Sequence, residues 1–424
     1  MPRPSQLPDL PLMLAEIPRP VADLLRATGL PVETLPRVTL LATGSGRFVL
    51  YDSRNSVSVV QSRGAASQGL IPLDLRALSD EPDWPESTNS PLELASSAAV
   101  RTFLERLKLE MEQRGGIWLR ISDYPFPFQS AIAIAVDHLS EVPHGFATVA
   151  QALPGKVTHF VSSRLRGAAL ARLIAAAPFD LGWRIVPEDC EISRRRTIAH
   201  WRTRLERFRG AGLAPRGLFL SHPELTLPST RTLTAQGWEY SCQPGPVSSC
   251  HVEPGRRSLA IPPWVRLRSV LLPAREAFVE YVGEHYQSGC PLFLTASTDR
   301  LQLAQDLVTV ANDAARCSLM WHTSFGDFAC WRRLRRLMRL QVWRRDAGCE
   351  IHANGEFGDS MWGLEIWRGD HLAAIPFHTS ELYVPDDGLV YLHAMKRTPG
   401  GCALLNPSMR QLLSPNDANQ PLAA

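Results

Sequence analysis

The chain has 424 residues, too long for one ordinary domain and enough for about two to four. Hydrophobic residues are 45% and charged residues 21%, a globular balance that excludes fibrous and largely disordered classes. The formal net charge of +3 is too small to imply a polyanionic partner for the whole chain, so no nucleic acid is expected.

Residues 1–16 contain no apolar segment of signal-peptide length and are broken by Pro2, Pro4, Pro8 and Pro11. No later window approaches the roughly 18 uninterrupted apolar residues of a membrane span. Eight cysteines are scattered with no C-x-x-C pair, which reads as free thiols in a reducing compartment rather than a disulfide framework or structural zinc. A cytoplasmic protein without a membrane span is expected. Residues 1–95 are rich in Pro and Ser but hold a strand signal at 47–53 and an apolar run at 70–75, predicting a small N-terminal α/β domain. The spacing of Val100, Phe103, Leu104, Leu107 and Met111 predicts a helix over 98–115, stopped by Gly115 and Gly116.

Over 96–340 the chain alternates. Apolar strands are predicted at 131–136, 157–161, 183–186, 218–220, 265–272, 292–294 and 319–322, with helices at 167–177, 194–210, 274–285 and 301–315. Strands without clean polar alternation, joined by helices, predict an α/β fold around a largely parallel sheet, closed as a barrel or doubly wound. In both, ligands gather at the carboxyl ends of strands. The basic stretch 331–345, from Trp331 to Arg345, predicts a helix with Leu334, Leu337, Met338 and Val342 on one face and arginines over the rest. Over 341–424, short alternating runs at 350–352, 364–367, 372–376 and 389–392, punctuated by glycines, predict a C-terminal antiparallel β domain with a frayed tail from Ser414. Its Trp362, Trp367 and Tyr391 can serve a core or stack on sugars.

The most informative segment is Ala131-Ile132-Ala133-Ile134-Ala135-Val136-Asp137-His138, a buried strand that ends in an acid and an imidazole. A carboxylate is costly to bury, so Asp137 is predicted at the strand's open end, facing a cleft or a partner. Next come Val157-Thr158-His159-Phe160-Val161, then Gly212-Leu213-Ala214-Pro215-Arg216-Gly217-Leu218, then Gly237-Trp238-Glu239-Tyr240-Ser241, and later Trp321-His322-Thr323 with Phe328, Trp331 and Arg333. His159 lies mid-strand and reads as a satisfied core imidazole, and packing is also favoured for His322. No Walker loop, dinucleotide fingerprint, nucleophile elbow or H-E-x-x-H motif is present in the sequence.

This order of segments, over about residues 98–340, resembles the polysaccharide deacetylase (NodB homology) superfamily. The resemblance implies a distorted (β/α) barrel that removes N-acetyl groups from sugars with a divalent metal. In that family an Asp is the base, a neighbouring Asp and two His hold the metal, and a late His is the acid. The cation polarises the amide carbonyl and acidifies a water while the carboxylate takes its proton. Carried over, Asp137 takes the base position, but His138 stands where the metal Asp belongs. Where the paired His should follow strand 183–186, the chain has Pro187-Glu188-Asp189-Cys190-Glu191. The strand that should end in the late His continues Thr295-Ala296-Ser297-Thr298, and the Arg-Pro-type motif after Gly217 is replaced by Ser221-His222-Pro223-Glu224.

The leading expectation is a carbohydrate-associated, deacetylase-like protein with impaired or lost catalysis, a carbohydrate or polysaccharide precursor as partner and no cofactor. The alternative is an active carbohydrate N-deacetylase with Asp137 as base and His222 as a further catalytic group. Its zinc, cobalt or nickel site would be rebuilt from Asp137, His138, His222 and Glu188 or Asp189. A third expectation is a non-catalytic scaffold whose basic stretch 331–345 meets an anionic surface or an acidic protein.

Overall fold

The computed structural model describes residues 17, 19–35, 38–43, 46–52, 70–73, 98–114, 116–138, 156–162, 171, 180–186, 194–222, 227, 229–246, 248–253, 263–272, 275–297, 319–345, 348–358, 361–368, 371–385, 395–397 and 403–404. The expected helices at 167–177 (save residue 171) and 301–315, the run 389–392, the tail from Ser414, and Glu188, Asp189 and Tyr391 lie outside the described residues. The chain divides into two compact units, Met1–Pro127 with Leu337–Ala424, and Phe128–Arg336. The segments 1–95 and 341–424, which sequence character sets apart, fall within the same unit. Among the described residues no helix is long and apolar enough to cross a membrane.

In the first unit, α1 (Arg19–Ala27) precedes a four-stranded sheet of β1 (Val32–Leu35), β2 (Val38–Thr43), β3 (Gly46–Asp52) and β4 (Leu70–Leu73), antiparallel except for the parallel β3–β4 pair. Helix α2 (Ala98–Gln113) buries Phe103, Leu107 and Met111, the stripe its spacing predicts, and leads to β5 (Trp118–Ile121).

The second unit is a closed parallel barrel wrapped by helices. Its wall runs through β6 (Ser130–His138), β7 (Val157–Ser162), β8 (Asp180–Ile185), β9 (Gly217–Leu220), β10 (Tyr240–Pro244), β12 (Trp264–Leu271) and β13 (Leu292–Ser297), and β13 returns to pair with β6. An antiparallel strand β11 (Ser249–Glu253) flanks β12, and β14 (Met320–Thr323) pairs with the start of β6. Among the described residues, helices α3 (Arg194–Gly210), α4 (Thr230–Ala235), α5 (Arg275–Ser288) and α6 (Phe325–Leu337) belong to the same unit.

Side-chain size explains the closure. Along β6, Ile132 and Ile134 join an outer cluster with Phe278 of α5, Leu292, Leu294 and Met320. The intervening Ala131, Ala133 and Ala135 face the opposite way, since successive strand residues alternate. Their small side chains leave the lumen to Phe160, Phe219, Phe293, Phe325 and Phe328, whose ring centroids lie 4.7–5.7 Å apart. Outside the wall, Trp183 meets Trp201 of α3 at 5.5 Å and Trp238 at 5.8 Å. Burying one large side chain contributes about 1.5–3 kcal/mol, so this cluster holds α3 against the wall. Gly237, at φ +89°, lets the chain leave α4 and bond Trp238 N–H to the Leu233 carbonyl at 3.2 Å.

Two lumen glycines are needed as glycines. A Cβ on Gly217 would enter the ring of Tyr240, and one on Gly182 the ring of Phe160. Tyr240 is fully buried, with its hydroxyl 3.4 Å from Asp180, and has no free direction in which to yield. Gly217→Ala is therefore expected to destabilise by about 3 kcal/mol, the upper part of the overpacking range, measured by denaturant unfolding.

The basic stretch 331–345 is not one helix. Helix α6 ends at Leu337, and Arg339–Arg345 is strand β15. Leu340 and Val342 are buried while Gln341 is exposed and Trp343 partly exposed, the period of two that a β-branched and aromatic run favours. The expected apolar face is corrected too. Phe328, Trp331 and Arg335 are the buried side of α6, and Leu337 is 48% exposed.

After β15 come β16 (Gly348–Asn354), β17 (Trp362–Arg368), β18 (His371–Phe377), β19 (Glu381–Pro385), β20 (Met395–Arg397) and β21 (Ala403–Leu404). One antiparallel sheet is ordered β15-β16-β19 and the other β21-β20-β18-β17-β5, so β5 joins strands more than 200 positions later. Trp362 and Trp367 are core residues at 0% and 8% exposure.

Candidate functional site

The carboxyl end of β6 brings Asp137 to the lumen rim, in register with Phe160 and Ser297. The position follows from alternation, because Asp137 continues the series Ala131, Ala133, Ala135. Its partner is Arg184 of β8, whose Nε stands 2.7 Å from Oδ1, with both side chains largely buried. Ser162 pairs in register with Arg184 and shares its face. The rim thus holds a carboxylate whose charge is balanced by a guanidinium in a buried ion pair.

His138 does not join this group. As the next residue on the strand it faces away from the lumen, beside Val161, which packs in the outer cluster with Trp183 and Trp201. There it meets His159, with Nε2 3.1 Å from Nδ1 and ring centroids 5.4 Å apart. Burial pushes His138 down to about 3. His159 is held well below the ordinary imidazole value by burial and by the charge His138 would carry. Both rings are therefore neutral near neutral pH, one donating to the other. The alternation Ala-Ile-Ala-Ile-Ala-Val-Asp-His carried this signal.

His222 is exposed in the bend after β9, and Ser221 before it donates through Oγ to the Ile185 carbonyl at 2.9 Å. Among the described residues His222 makes no contact with Asp137. His322 is buried on β14 and pushed down to about 4 by burial and the Lys156 charge. Among the described residues no three His, Cys, Asp or Glu side chains converge in a way that could hold a metal ion.

The opposite end of the barrel carries a second polar centre that the sequence reading did not contain. Asp180, the first residue of β8, accepts Thr158 Oγ1 at 2.7 Å and the backbone N–H of Gly326 at 2.9 Å through Oδ2. Arg216 approaches its other oxygen at 3.9 Å and also bonds Glu239 and Asp327. Ser324 caps α6 by accepting the Asp327 N–H at 3.0 Å. A carboxylate on the first turn of α6 complements the helix dipole. Burial raises the Asp180 carboxyl, opposed by Thr158, Arg216 and the Gly326 amide. These contacts seat the first turn of α6 in the barrel. An acid heading strand β8 was the sign of them.

No protein-family model and no curated protein matches the chain. Solved structures show distant similarity. One is the PuuE allantoinase, at 13% identity and TM-score 0.33 over 49% of this chain and 91% of that one. Another is the 4-alpha-glucanotransferase from Thermococcus litoralis, at 13% identity and TM-score 0.34 over 48% of this chain and 38% of that one. A third is a probable polysaccharide deacetylase from Pseudomonas aeruginosa PAO1, at 12% identity and TM-score 0.34 over 49% of this chain and 92% of that one.

Proposed function

We propose that the chain is a carbohydrate-associated, polysaccharide-deacetylase-like protein of the cytoplasm, with its barrel a distorted relative of the deacetylase barrel and its catalysis impaired or lost. The observation that carries this reading is the Arg184–Asp137 pair. A base must take a proton from water, and a carboxylate committed to a guanidinium at 2.7 Å is a poor acceptor. Arg184 also brings a fixed positive charge to the rim, where it would repel a divalent cation approaching Asp137. The replacement of the late His by Thr295-Ala296-Ser297 points the same way, since a leaving amine needs a proton donor.

The test is acetate release from chitohexaose by the purified chain with added zinc, cobalt or nickel. The expected result is no release above background, together with a sugar-dependent rise in Tm that persists in Asp137→Ala. Metal-dependent release abolished by Asp137→Ala would establish the active deacetylase instead.

A further inference from the structure

The sheet β15-β16-β19 has two faces of different chemistry. One buries Leu340, Val342, Cys349, Ile351 and Val384. The other presents Trp343 and Arg345 on β15, Glu350 and His352 on β16, and Tyr383 on β19. The register sets Trp343, Glu350 and Tyr383 in one row across the three strands. Two inter-strand spacings separate the aromatic residues by about 10 Å, the span of a disaccharide. Tyr383 is 51% exposed, whereas Trp362 and Trp367 supply aromatic core in the same unit.

The polar groups of this row are already ordered. The His352 ring stands edge-on to Trp343, with centroids 4.5 Å apart at 72°. Its Nε2 lies 2.6 Å from Glu350 Oε1, and Arg345 Nε donates to Glu350 Oε2 at 2.5 Å. A carboxylate and a guanidinium are planar groups with paired acceptors or donors, a geometry that suits vicinal hydroxyls. Holding one another, they lose little conformational freedom on binding a ligand.

We propose that this face binds a neutral glycan chain, with sugar rings two apart stacked on Trp343 and Tyr383 and hydroxyls of the ring between them bonded to Glu350 and Arg345. The apolar face of a pyranose ring matches an exposed aromatic with a polar surround. Arg345 balances Glu350, and Glu381, opposite His352 on the same face, adds a second carboxylate, so the row favours an uncharged polyol and repels uronates. A protein partner fits less well, because the centres of protein interfaces are depleted of charged groups. The site stands on its own residues and does not rest on the reading of the barrel rim.

Affinity electrophoresis of the full chain through gels containing β-glucan, glycol chitin, galactomannan, xylan or polygalacturonate tests it. Retardation by at least one neutral glycan is expected. Trp343→Ala and Tyr383→Ala should each weaken it by about tenfold, with circular dichroism showing both variants folded. No retardation by any neutral glycan overturns the site, as does retardation by polygalacturonate alone. Binding that survives the combined Trp343→Ala and Tyr383→Ala change overturns it too, by locating the glycan elsewhere. Acetate release reads only the barrel, so failure there leaves this surface untouched.

Discussion

Acidification from pH 7 to pH 5 is expected to remove about 4 kcal/mol of folding stability through His138 and His159. Both imidazoles are held below their ordinary value of 6.5 in the folded chain, His138 at about 3. A group with a depressed folded value contributes its full stability above the unfolded value and loses it as pH falls toward the folded one. The unfolded chain therefore binds two protons near pH 6.5 that the native chain refuses. The geometry supplies the reason. With both rings neutral, the 3.1 Å contact is a hydrogen bond, but with both protonated it sets two N–H donors against each other. His322, at about 4, adds in the same direction. Asp180 opposes, because its raised carboxyl gains stability as pH falls through its folded value. Denaturant unfolding of the wild type and of His138→Leu/His159→Leu at pH 7, 6 and 5 measures the effect. The double variant should lose most of the slope; equal slopes in both proteins would place the acid-labile groups elsewhere.

How far the sequence foretold this architecture depends on which physical signal each element left. The wall strands β6, β7, β9 and β13 are apolar runs bounded by breakers, and their positions were legible from 131–136, 157–161, 218–220 and 292–294. Strand β10 is short and reads Tyr-Ser-Cys-Gln-Pro, with neither a continuous apolar run nor polar alternation, yet it closes the barrel by pairing with β12. Such a strand is specified by its neighbours rather than by its own pattern. The stretch after Leu337 failed for a related reason. Leu334, Leu337, Met338 and Val342 satisfy a helical period, but Leu340, Val342 and the intervening Gln341 and Trp343 satisfy a period of two equally well, and pairing with β16 decides. At the site, Asp137 was legible as the acid that ends an apolar strand, but the cost of burying a carboxylate argued for an open position and the side chain is largely buried. Its partner was not. Arg184 sits inside an apolar strand, and nothing local to Trp183-Arg184-Ile185 says that its side chain turns to Asp137 from two strands away.

Arg184→Met is expected to destabilise the fold by about 3 kcal/mol, the low end of the range for breaking a buried ion pair from one side. The variant leaves the Asp137 carboxylate at the lumen rim with its 2.7 Å counterion gone, on a side chain only 12% exposed. Asp137→Leu should cost a similar amount by stranding the guanidinium. The two losses share one cause, so they are not additive. Exchanging both at once for apolar residues of similar volume removes the desolvation cost along with the attraction, and the double variant should recover most of the stability. A thermodynamic cycle over the wild type, both single variants and the double variant, read by denaturant unfolding at pH 7, measures the coupling directly. Near-additive losses would mean that Arg184 is not the counterion of Asp137, and the case for a committed rim carboxylate would go with it. Strong coupling without acetate release from any of the four proteins fits a rim whose central charge pair serves the fold. Acetate release appearing on Arg184→Met, with zinc present, would identify Asp137 as a base that the guanidinium holds silent.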